Sequence, residues 1–371
     1  MLVREVERPG ERERFTRFPW KIYRGNKNWV PPLIFERRDL INPKKNPFFE
    51  HAAVKLFMAY DDSGQELGRI AAIVNGNHLH THNDNVGFFG LFESVDDPAV
   101  SGALFNAAAG FLRARGLKTM RGPENLCVND DLGLLVEGFD SPPMIMMPYN
   151  PPYYAKLIEG YGFRKAVDLL AYYGEATGES IPAEIERGMK ICERRQKCTV
   201  RGLRMSKFWE ELKLIHSVYS SAWEENWGAV AMTDREFEHL AKALKDTVDP
   251  DLCLIAEVDG EVAGFSLALP DYNQVLAHLN GRLFPFGIFK FLYYRRKIDA
   301  LRLLAMGVVK KFRTRGIDSI FYFETARRAL AKGLARGEFS WILEKNEVMN
   351  RILIRMGFHV HKKYRLYDFS L

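Results

Sequence analysis

Apolar residues recur along this chain at two spacings, and the change from one to the other marks its elements. Residues 303–309 form a short apolar run closed by Lys310 and Lys311, and after one basic turn Ile317, Ile320, Phe321, Phe323, Ala326, Ala329 and Leu330 follow at helical spacing. The pattern predicts a strand, a turn and a helix. Residues 54–74 predict a β-hairpin about Asp62-Ser63-Gly64, and 86–92 a further strand. Residues 97–115 predict a helix with Asp97 as its cap, Pro98 at its first position and Gly116 at its end, and a strand follows at 118–121. A strand at 200–205 precedes a helix over 208–223 with one apolar face, and a second helix is capped at Thr233 or Asp234. Residues 339–344 predict a strand and 348–356 a helix ending at Gly357-Phe358, with a last strand beyond. The first 50 residues, rich in Pro and aromatics, predict an irregular arm over a cleft, or one stapled to the core by Trp20, Tyr23 and Trp29.

The pattern also repeats. Ala59 and Ala256 lie 197 residues apart, Gly68 and Gly264 lie 196 apart, and Phe163 and Phe358 lie 195 apart. A nearly constant offset at three landmarks predicts a tandem array of two domains, 1–178 and 179–371, joined through the small, polar segment 174–182.

Composition narrows the class. With 371 residues and 47% hydrophobic content the chain can bury two ordinary cores. A net charge of +6 suits an anionic cofactor, a membrane surface or nucleic acid, and selects none of them. Cys127, Cys192, Cys198 and Cys253 have no metal-ligand spacing and read as buried thiols. His78, His80 and His82 would share one face of a strand, but a solvated loop is the expectation, so no metal is expected. The charged opening residues and the absence of an apolar run near 18 residues predict a cytoplasmic protein.

The chemistry centres on the turn before residue 317. Arg313, Arg315 and Gly316 stand where a helix begins, and Ile317 opens it; unpaired N–H groups, a positive dipole end and a glycine together suit a phosphate. Val308, Arg313 and Gly316 resemble the coenzyme-binding motif of the GNAT superfamily of acyl-CoA N-acyltransferases, a strand-ending valine followed by R/Q-x-x-G-x-G/A. Asp318 takes the place of the motif's small last residue. The segment from the strand at 339 through Asn346 to Gly357-Phe358 is similar to the family's downstream order, while Leu353 occupies the place where the family often carries a tyrosine acid.

The resemblance implies an α/β (α+β) fold of two tandem GNAT-like domains, each with a mixed, mostly antiparallel sheet flanked by helices. It implies a donor that is acyl-CoA or an acyl-phosphopantetheine thioester, held by Val308, Arg313, Arg315, Gly316, Ile317 and Asn346, with an amine as acceptor. Glu344 is the candidate base, or a surface carboxylate paired with Lys345 or Arg351. Asn129 and Asp130, in a long polar loop, and Trp223 and Glu225, between two helices, are candidate pocket residues. Glu93, Asp96 and Asp97 replace the basic turn in the first copy, which is expected to lack the donor site.

One insertion, 282–297, joins an aromatic face to Lys290, Arg295, Arg296 and Lys297, as an interfacial segment or acyl-chain lid requires. It is too short to span a bilayer and predicts peripheral contact with the inner membrane face. The overall pattern also resembles tandem GNAT-like proteins linked to bacterial sphingolipid acylation, which implies a lipid amine acceptor and a donor carried on coenzyme A or acyl carrier protein. Two alternatives stand beside this reading: an aminoacyl-tRNA-dependent transferase and a non-catalytic acyl-thioester binding module. The basic residues are scattered and no RNA-binding signature is present, so nucleic acid is not the expected partner.

Overall fold

The computed structural model describes residues 1–175, 186–187, 189–190, 198–223, 227–313 and 315–371, the side chain of Trp223 excepted. Most of the expected linker, together with Cys192, Glu224, Glu225 and Thr314, lies outside the described residues. The chain forms two compact units. The first contains Met1–Leu169, Val275–Leu292 and Lys362–Leu371, and the second Leu170–Gln274 and Tyr293–His361.

In the first unit, β1 (Leu2–Glu5), β2 (Ala52–Tyr60), β3 (Glu66–Asn75) and β4 (Val86–Ser94) pair antiparallel in order, and β5 (Thr119–Gly122) lies parallel to β4. β6 (Leu134–Glu137) follows, and β7 (Arg164–Glu175) begins in this unit. In the second unit, β8 (Cys198–Gly202), β9 (Cys253–Val258), β10 (Glu261–Pro270) and β11 (Ala300–Val308) pair antiparallel in order, and β12 (Arg336–Leu343) lies parallel to β11. The same pairing sequence in both units is the structural form of the repeat. The last strand, β13 (His359–Ser370), gives its end to the first unit, where Tyr367–Ser370 pair antiparallel with Gly122–Thr119 of β5.

Each sheet is covered by the helix that the 3.6-residue spacing marks out. In the first unit, helix Pro98–Arg113 buries Leu104, Phe105, Ala108 and Leu112 against Ala59, Ile70 and Phe89. In the second, helix Ile317–Ala331 buries Ile317, Ile320 and Phe321 against Leu254, Ala256 and Ala263. Each buried Leu, Ile or Phe among them contributes about 1.5–3 kcal/mol.

Two expectations need correction. Residues 1–50 are not an irregular arm: helices Pro9–Arg17 and Ile34–Leu40 form there, and Phe15, Phe18, Ile41 and Phe48 cover the other face of the first sheet against Met58, Ile73 and Phe88. Tertiary burial overrides the Pro and Gly signals there. Within this segment Trp29 stacks on the buried Tyr23 at 4.6 Å, and the Tyr23 hydroxyl donates to the Tyr149 carbonyl at 2.9 Å. The three histidines lie on a helix, Gly76–His82, rather than on a strand or loop. Asn75 caps that helix through the His78 amide, and the buried His78 lies 3.1 Å from both carboxylate oxygens of Asp84. Helical spacing brings His78 and His82 together and separates His80 from them.

Candidate active site

The two parallel strands at the centre of the second unit part company. Their pairing runs from Ala300↔Arg336 to Leu303↔Phe339, yet β11 continues to Val308 and β12 to Leu343. Leu303 and Phe339, the last paired residues, are buried, as are Ala300, Leu301, Arg302 and Glu338 before them; beyond the parting Leu304, Ala305, Met306, Trp341, Ile342 and Leu343 are half-buried. The parted ends are therefore a partly open apolar cleft.

The basic turn follows directly. Lys310–Phe312 make one tight turn that buries Phe312, and Gly316 then adopts φ +82°, the left-handed region that glycine enters without strain. Gly316 is the N-cap of helix Ile317–Ala331 and offers no side-chain acceptor to the first N–H groups. Arg315 is exposed, its guanidinium 5.4 Å from the Phe312 ring centroid. Arg313 is tied to the backbone, donating to the carbonyls of Val308 at 3.4 Å and Ala222 at 3.2 Å. Arg313 thus holds the end of helix Phe208–Trp223, while Arg315 is exposed beside Gly316 at the start of the next helix.

Beyond the other parted strand, Asn346 caps helix Glu347–Arg355 by accepting from the Met349 amide at 3.2 Å. Glu344 is half-buried, and its carbonyl accepts from Asn350 at 3.1 Å. Leu353 is fully buried with Tyr172, Leu303, Tyr322 and Phe339, so the position of the family's tyrosine acid belongs to the core. Val308, Arg313, Arg315, Gly316 and Ile317 thus gather at one end of the cleft, and Glu344 and Asn346 follow its other wall.

The first unit has the same parting of parallel strands, but its own chain fills it. β4 and β5 pair only over Val86–Phe88 and Thr119–Arg121. Past that point the Glu124 amide donates to the Phe89 carbonyl at 2.8 Å, the Asn125 side chain accepts from the Leu91 amide at 2.6 Å, and Leu126 is fully buried. The following helix is capped from within, since Asp97 accepts from the Ala99 amide at 2.8 Å. Glu93 points inward and accepts from Tyr154 at 2.7 Å. Asp130 sits beyond the plug in a half-buried polar group: Cys127 Sγ donates to it at 3.2 Å, and Asp131 pairs with Arg37 at 2.8 Å. Burial raises the Glu124 carboxyl to about 8 and that of Asp130 to about 7. Asn129 and Asp130 are residues of the first unit, whereas Trp223 ends a helix of the second.

Sequence reasoning missed one constellation in the second unit: Arg302, Glu338, Ser340 and His361 are joined by hydrogen bonds. The available signal was Glu338 and Ser340, two polar residues that flank Phe339 and precede the apolar run Trp341, Ile342 and Leu343 in one strand, because polar groups buried there require partners.

Solved structures with this architecture define the class. A tandem GNAT protein from the clavulanic acid biosynthesis pathway matches with a TM-score of 0.56 at 9% identity, covering 100% of this chain and 98% of that one. A GCN5-related N-acetyltransferase from Sphaerobacter thermophilus matches with a TM-score of 0.55 at 12% identity, covering 100% and 95%. The fold is that of the tandem GNAT acyltransferases. Within it, the chain is 40% identical over 385 residues to the bacterial ceramide synthase of Caulobacter vibrioides, covering 100% of this chain and 98% of that protein. It is 36% identical to protein YghO of Escherichia coli, covering 99% and 95%. The chain belongs to the family of this ceramide synthase. No protein-family model matches it.

Proposed function

We propose that the protein transfers an acyl group from a phosphopantetheine thioester, carried on coenzyme A or acyl carrier protein, to the amine of a long-chain lipid. The observation that carries this reading is the contrast between the units. In the second, the parting of β11 and β12 leads to a helix N-terminus whose N-cap, Gly316, has no side chain, beside Arg315; in the first, the same two features are filled by Glu124, Asn125 and Asp97. A donor phosphate on the amides of 316 and 317 would lay its pantetheine arm along the apolar cleft. The relative's name supports the acceptor, since a ceramide is an N-acylated long-chain amino alcohol.

A second feature supports a lipid acceptor. Phe284, Phe286, Phe289, Leu292 and Tyr293 are exposed, Phe286 by 75% and Phe289 by 68%, on and before helix Gly287–Tyr294. From Tyr272 to Ile298 there is no acidic residue, while Arg282, Lys290, Arg295, Arg296 and Lys297 are basic. Exposed aromatics within a purely cationic segment suit the surface of an anionic bilayer, where a lipid amine is presented. Among the described residues no helix is long and apolar enough to cross a membrane.

Native mass spectrometry and tryptophan-fluorescence titration with acetyl-CoA, palmitoyl-CoA and palmitoyl acyl carrier protein test the donor. A long-chain thioester is expected to bind, with affinity lowered about tenfold by Arg315→Ala, the loss of one charge-assisted phosphate contact. Binding of none of the three would overturn the reading.

A further inference from the structure

We infer that His361, oriented by Glu338, is the group that takes the proton from the attacking amine, an assignment that rests on the acyl-transfer reading above. Glu338 lies in β12 with none of its surface exposed. One carboxylate oxygen stands 2.7 Å from His361 Nε2, and the other accepts from Ser340 Oγ at 2.6 Å. Ser340 Oγ in turn accepts from Arg302 Nε at 2.8 Å, and Arg302 Nη2 donates to the Ser340 carbonyl at 3.3 Å. Burial alone would raise the Glu338 carboxyl, but His361, Arg302 and Ser340 outweigh it and hold it below the ordinary range. Glu338 is therefore an ionised, buried acceptor. His361 is half-buried, with the Tyr173 ring 5.2 Å away. Its other ring nitrogen, Nδ1, makes no hydrogen bond among the described residues and is not buried.

The place of this network in the sheet connects it to the reaction. Leu303 and Phe339 are the last paired residues of β11 and β12. Arg302 immediately precedes the first of them and Ser340 immediately follows the second, so the network spans the point where the strands part. Leu303 and Phe339 pack on one face of the sheet with Tyr322 and Leu353, which closes that face with core. An acceptor must approach a thioester held in the parting from the other face, and that face carries Arg302, Ser340, Glu338 and His361.

A lipid amine is an ammonium ion near neutral pH and has no lone pair for attack. His361 accepts one proton from it, with Glu338 stabilising the imidazolium that forms. The nitrogen then bonds to the thioester carbon, the C–S bond breaks, and the second proton lost by nitrogen goes to the departing thiolate. The imidazolium returns its proton to solvent. His361 is the catalytic residue in this step and Glu338 a positioning residue. Beside Glu338, the titratable group against the imidazole is Tyr173 from β7; Tyr173 in turn meets Arg336 from β12 and His359 from β13, and Arg302 from β11 reaches the pair through Ser340.

The test is the rate of sphinganine acylation by palmitoyl-CoA from pH 5.5 to 9.5, read by mass spectrometry, with wild type, His361→Gln, His361→Asn and Glu338→Gln. Each variant is checked for folding by thermal melt and for donor affinity by native mass spectrometry. Both His361 variants are expected to lose roughly 100-fold or more in kcat with the donor Kd unchanged, and their residual rate should climb with pH as the amine loses its own proton. Glu338→Gln should lower kcat about tenfold and move the acid limb of the profile, because the imidazolium formed in the step loses the carboxylate that faces it. A merely structural role would lower the melting temperature and leave the limb in place. Folded His361→Gln or His361→Asn with wild-type kcat and an unmoved limb overturns the assignment; if neither folds, an unmoved limb in Glu338→Gln does so. A wild type that binds palmitoyl-CoA but acylates no amine overturns the acyl-transfer reading, and this assignment with it.

Discussion

Gly90 stands so close to Glu124 that a β-carbon on the glycine would lie 1.9 Å from the Glu124 carbonyl oxygen. No side chain can share that space, and the obstructing atom is backbone held by the Glu124–Phe89 hydrogen bond. Gly90→Ala is therefore expected to destabilise the protein by about 3 kcal/mol or more, read in urea titrations by a probe in the first unit. An unchanged midpoint would mean that the plug does not seal the first cleft.

Glu124 itself sets a pH dependence. Its carboxyl is raised from an ordinary 4.5 to about 8 by burial, and Asp130 from 3.8 to about 7. A native state that holds its protons more tightly than the unfolded chain is most stable below the unfolded values and loses stability as pH rises toward the folded ones. Thermal melts should fall between about pH 5 and 8.5, and Glu124→Gln should flatten that decline and raise stability at pH 8.5 by roughly 2 kcal/mol or more. A melting temperature that climbs over this range in the wild type would refute the burial argument.

Arg313 and Arg315 are only two residues apart but should behave differently. Arg313→Ala removes donors to the Val308 and Ala222 carbonyls and is expected to cost about 1–3 kcal/mol of stability. Arg315→Ala should leave the melt within about 0.5 kcal/mol of wild type. Melts of both variants decide it, and a larger loss for Arg315→Ala would reverse the roles given to the pair.

How much of this was legible follows the same division. The strand, basic turn and helix around Val308–Ile317, the capped helix at Asp97 and the repeat offset rest on local spacing, and each appears in the structure where the pattern puts it. What the sequence could not show depends on distant partners. The turn motif does not reveal that Arg313 is tied to Ala222, 91 residues away, or that Glu338 meets His361 from another strand. The helix at His78 was hidden because three histidines at alternate positions mimic a strand, while the features that decide it are the Asn75 cap and the contact with Asp84. Short helices in residues 1–50 were hidden because their stability comes from Phe15 and Phe18 buried on a sheet formed later in the chain.

The exposed aromatic segment gives a prediction about surfaces. Replacing Phe286 and Phe289 together by Ser is expected to reduce sedimentation with vesicles containing 30% phosphatidylglycerol at least tenfold, with no change in melting temperature, since neither ring is buried. Wild-type sedimentation should weaken with added salt and with uncharged vesicles. Equal binding to neutral vesicles would remove the basic residues from the argument, and capture by acyl carrier protein alone would assign the patch to the donor.

The return of β13 to the first unit matters for how the protein is made. Arg121 of β5 and Asp368 of β13 form a two-pronged ion pair across a separation of 247 residues. At about 5–20 residues per second, a ribosome needs roughly 12 to 50 s to synthesise the partner strand after β5 has appeared. During that interval β5 has a bare edge, and the nascent chain presents it to the cell. Slow codons or a stall downstream of residue 122 would lengthen this exposure without changing a single amino acid.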